Sequence, residues 1–60
     1  MNVEEALHEI LILGVRNTAE VIERLQKRGY TDEEVLKVVY RALLAGKVDP
    51  KGTKDPFMGN

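Results

Sequence analysis

An all-α fold is predicted by three observations on this 60-residue chain. Apolar residues recur at a helical period in three separate stretches. Each stretch opens on a side chain able to accept a backbone N–H at a helix start, and glycine or asparagine interrupts the pattern between stretches. The reading is a three-helix helix-turn-helix bundle over residues 1–48, followed by an irregular C-terminal tail over 49–60.

The first helix starts at Asn2, with Glu5 placed three residues on to complete a capping box. Val3, Ala6, Leu7, Ile10, Leu11 and Gly14 share one face, and Glu5, His8 and Glu9 occupy the other. Ile12 falls on that polar side, so something outside the helix is expected to cover it unless it is exposed.

Gly14 to Asn17 break the pattern, and Asn17 or Thr18 caps the second helix. Its buried stripe is Val21, Ile22 and Leu25. Glu20 with Arg24 and Glu23 with Lys27 are i,i+4 pairs in the favourable acid-first order. Gly29 is suited to the position just past the helix end, where the backbone turns left-handed. Tyr30 follows, placed to staple onto the next helix.

The third helix has the strongest start. Thr31 and Glu34 form a capping box, and Asp32, Glu33 and Glu34 lie where the helix dipole favours negative charge. About four turns reach to Ala45 and Gly46. Val35, Val38, Val39, Ala42, Leu43 and Gly46 fall on one arc, with Leu36 at its edge. The opposite face carries Glu33, Lys37, Tyr40, Arg41 and Leu44, two cations mixed with two large apolar side chains. Beyond Lys47 the two prolines exclude a continuous helix, leaving a loose tail or a stunted hairpin turning at Lys51-Gly52.

Composition removes several classes of function. The chain has no cysteine and a single histidine, His8, so disulfides and thiolate metal sites are out. Glu4 and His8 are one turn apart, but two ligands fall short of an ordinary metal site. There is no serine or cysteine nucleophile and no glycine-rich phosphate loop, so neither an enzyme nor a cofactor or small-molecule substrate is expected. The longest apolar run, Ile10 to Val15, is too short to span a bilayer, and the expectation is a cytoplasmic protein. Formal charge is −1 overall but uneven: −3 over residues 1–15 and +2 over 16–60. A chain this small without staples gains from burying more surface, so a homodimer is expected.

Four segments carry a family resemblance. ALHEILIL, then Thr18-Ala19-Glu20-Val21-Ile22-Glu23-Arg24-Leu25, then Gly29-Tyr30-Thr31, then Leu43-Leu44-Ala45-Gly46-Lys47-Val48 together resemble the winged-helix, helix-turn-helix superfamily of DNA-binding domains. The resemblance covers residues 6–48. It implies double-stranded DNA as partner and a role as a small transcriptional regulator, with Lys37, Tyr40, Arg41 and Lys47 as the nucleic-acid-binding residues. Two departures stand beside it. The wing is missing or reduced to the segment around Lys51-Gly52-Thr53-Lys54. The start of the would-be recognition helix is acidic, which repels phosphate. Winged-helix domains also serve as protein-docking modules, and Leu36 and Leu44 with Tyr40, or Ile12 on the first helix, offer a dimer or partner interface. A looser resemblance, through Gly29-Tyr30 before an acidic-capped helix, is to ubiquitin-associated three-helix domains. That family needs a further helix where the Pro-Gly tail falls.

Overall fold

The computed structural model describes residues 2–50, which form three helices: α1 (Val3–Ile12), α2 (Thr18–Lys27) and α3 (Asp32–Leu44). Residues 51–60 of the tail, including the hairpin or vestigial wing expected around Lys51-Gly52, lie outside the described residues.

The helix starts are fixed by side chains close in sequence. At α1 the Glu5 N–H donates to Asn2 Oδ1 at 2.9 Å, and Glu5 Oε1 accepts from the Asn2 N–H at 3.3 Å. The box at α3 is built the same way, with Glu34 N–H to Thr31 Oγ1 at 3.1 Å and Thr31 N–H to Glu34 Oε1 at 3.0 Å. At α2 the cap is Asn17 rather than Thr18, accepting from the Glu20 N–H at 3.0 Å. No box closes there, because the Glu20 carboxylate turns along the helix to Arg24, 3.0 Å away. Thr18 is then released for another task.

The core is one cluster: Ala6, Leu7 and Ile10 from α1, Val21 and Leu25 from α2, Val35, Val38, Val39 and Ala42 from α3, and Val48 beyond it. Leu11, Ile22 and Leu43, which the helical period also places inward, are half-buried at its edge. Among the described residues no fourth element covers the flanks of each stripe. Val48 and Thr18 join the interior for a different reason, the path of the chain after α3.

That path depends on Gly46, whose φ of +73° is a conformation an L side chain disfavours. Its N–H donates to the Leu43 carbonyl at 3.1 Å, and the Lys47 N–H reaches back to Ala42 at 2.8 Å. This paired reversal at a helix end satisfies carbonyls that would otherwise lack partners. The chain then runs beside the segment entering α2. Val48 is 4% exposed, the Asp49 N–H donates to the Arg16 carbonyl at 2.6 Å, and the buried Thr18 hydroxyl donates to the Asp49 carbonyl. Arg16 Nη1 adds a bond to the Lys47 carbonyl at 3.0 Å. Asn17 and Asp49 thus form an isolated parallel bridge, carrying ordered contacts past Val48.

Candidate docking surface on the third helix

Packing between the helices determines which side of α3 remains open. On one flank Arg41 Nη1 lies 2.9 Å from Glu4 Oε2 of α1. On the other, Gln26 Nε2 of α2 donates to Asp32 Oδ1 at 3.3 Å. A third cross-link, Arg28 to Glu9 at 3.1 Å, ties α2 to α1. All of these side chains are solvent-exposed, so each ion pair contributes at most about 1 kcal/mol. Their value is positional: they mark α1 and α2 as flanking α3, whose far side faces outward.

On that far side Leu36, Tyr40 and Leu44 follow one another at successive turns and are 60%, 63% and 73% exposed. Single exposed apolar residues are ordinary, but three in a row on one helix make a continuous apolar ridge. Glu33 lies one turn before Leu36, and Lys47 lies just beyond the end of α3. Glu33, Lys37 and Lys47 are exposed, and among the described residues none of the three is in an ion pair.

The structure separates the DNA-contact candidates of the sequence. Lys37 and Tyr40 are exposed on the outer face of α3. Arg41 is held by Glu4, and with Lys47, Glu4 and His8 it lines a groove of about 320 Å³ between α1 and α3. Arg24 and Lys27 are likewise paired, to Glu20 and Glu23, and the Arg16 guanidinium bonds a backbone carbonyl. The interface candidates divide in the same way. Leu36 and Leu44 share the α3 ridge with Tyr40, whereas Ile12, 69% exposed, ends α1 beside an equally open Leu13. Sequence periodicity could not foresee the Glu4–Arg41 pair, which spans 37 residues.

No family model, curated protein or solved structure matches the chain.

The chemistry of the remaining surface is sparse. Among the described residues no group of three or more His, Cys, Asp or Glu side chains could hold a metal ion. No helix among them is long and apolar enough to cross a membrane. What α3 offers is an exposed hydrophobic ridge, suited to excluding water against a complementary surface.

Proposed function

We propose that this chain is a protein-interaction module of the cytoplasm, built on a helix-turn-helix scaffold, whose docking surface is the outer face of α3. One observation carries the reading: Leu36, Tyr40 and Leu44 form an uninterrupted exposed ridge on a face where cations are few. Burying large apolar side chains at about 25 cal/mol per Å² is the strongest driving force such a face offers. Aromatic residues at the centre of a patch are favoured interface anchors, and Tyr40 holds that place.

The second reading is duplex DNA, with Lys37, Tyr40, Arg41 and Lys47 as contacts. The unpaired ammonium groups of Lys37 and Lys47 favour it. Against it, the Arg41 guanidinium is already engaged by Glu4, and three carboxylates crowd the α3 N-terminus. Phosphate binding depends on cations gathered on one face, and among the described residues acidic partners engage Arg24, Lys27, Arg28 and Arg41.

The test uses a photo-crosslinking amino acid placed singly at positions 36, 40 and 44, and at exposed α2 positions 19 and 23 as controls. Adducts to protein from the α3 positions but not the controls are expected, and Leu44→Glu should abolish those at 36 and 40. The docking reading fails if α3 yields no more adducts than α2. A salt-sensitive shift of duplex DNA that disappears in Lys37→Ala would replace it with the DNA reading.

A further inference from the structure

Small side chains leave space between α1 and α3. Ala42 and Ala45 of α3 stand across from Leu7 and Leu11 of α1, and side chains that end at Cβ cannot close the gap. The groove measures about 320 Å³, near the lower end of the roughly 300–1,000 Å³ of ligand sites. Leu7, Val38 and Ala42 form a buried apolar floor, while Ala45 is open to solvent. A groove of this size takes one large side chain and leaves the rest of the molecule that carries it outside.

The charge around this floor is unbalanced by one cation. Glu4 and Arg41 neutralise each other at 2.9 Å, and Lys47, in no ion pair among the described residues, is left over. Lys47 is fixed at the groove through its backbone: its N–H donates to the Ala42 carbonyl at 2.8 Å, and its carbonyl accepts from Arg16 at 3.0 Å. The neighbouring acids of α1 are turned elsewhere, Glu5 into its capping box and Glu9 to Arg28. They still give the α1 side negative charge, which opposes a polyphosphate. One leftover cation beside an apolar floor matches a single carboxylate beside an apolar side chain.

We infer that this groove is itself a docking site, for a peptide segment of a partner protein that carries a large apolar side chain next to an aspartate or glutamate. The apolar side chain covers Val38 and Ala42 between the helices, and the carboxylate meets the Lys47 ammonium. The site lies on the α1 side of α3 and does not depend on the Leu36–Tyr40–Leu44 ridge.

The test is a nuclear magnetic resonance titration of the full chain with an end-capped peptide, Gly-Phe-Asp-Gly, taken to millimolar concentration. The methyl signals of Leu7, Leu11, Val38 and Ala42 should shift, and those of Leu36 and Leu44 should not. Asparagine in place of the peptide's aspartate should weaken binding on the order of fivefold at low salt, less as salt is added. Lys47→Ala spares the backbone hydrogen bonds. It should weaken the aspartate peptide by the same factor and leave the asparagine peptide unaffected. Ala45→Leu should fill the groove and abolish the shifts, with a dispersed spectrum showing that the fold is kept. Groove methyls that stay still, shifts on the ridge instead, equal affinity for the two peptides, or unchanged binding to Ala45→Leu each overturn the site. So does 3-phenylpropionate binding as tightly as the peptide, which makes the occupant a free acid. Crosslinking from the ridge is read separately, so failure here leaves the proposed function standing.

Discussion

Thr18 illustrates how much one side chain can do once its neighbour takes the capping role. Because Asn17 caps α2, the Thr18 hydroxyl points inward, 3% exposed, and donates to the Asp49 carbonyl. Thr18→Val keeps the shape and removes the donor, leaving a partly buried carbonyl without that bond. It should cost about 1 kcal/mol, read as a lower urea midpoint at unchanged slope. An unaltered midpoint would mean the hydroxyl does not support the exit segment. Sequence alone left Asn17 and Thr18 as equal candidates for the cap, since both residue types accept from a backbone N–H. The choice follows from what lies opposite Thr18, a segment 31 residues away.

At the level of elements, the three helices were legible because their signals are local. Capping boxes span three residues, the i,i+4 pairs four, and all of them form where the spacing places them. Inward-facing residues were also legible up to the stripe edges, where Leu11, Ile22 and Leu43 are only half covered. Periodicity placed the end of α3 at Ala45 and Gly46, where the helix does stop, but could not convey the course of the chain beyond it. Gly46 reads as one more small residue on the apolar arc, yet its φ of +73° turns the chain back toward α2. A Cβ added there meets nothing within 4 Å, so the cost of Gly46→Ala is conformational rather than steric crowding. It should lower stability by roughly 1 kcal/mol, measured by thermal or urea unfolding. A neutral or stabilising result would mean that the reversal after Leu44 does not require the left-handed conformation. The ridge itself was legible as a pattern. The engagement of Arg41 by Glu4 was not, because that ion pair joins two different helices.

For the molecule as a whole, the pairing of Asp49 with Arg16 and Thr18 joins the entry to α2 with the exit from α3. The chain between them forms a closed loop, and closing it costs entropy that no local turn repays. The three helices form the larger share of the core, whereas the clasp adds Val48 and a few hydrogen bonds at its edge. The clasp is therefore expected to be the last part to assemble and the first to open, as a local event distinct from global unfolding. Native-state hydrogen exchange should show this directly: the Asp49 amide should exchange through an opening of lower free energy than the amides of Val38 and Val39 at the centre of α3. Equal protection at these sites would instead make the clasp part of the global unit. If it opens separately, Val48 leaves the core with it while the outer ridge of α3 stays in place. The domain then has a seam that can breathe without disturbing the face proposed to dock.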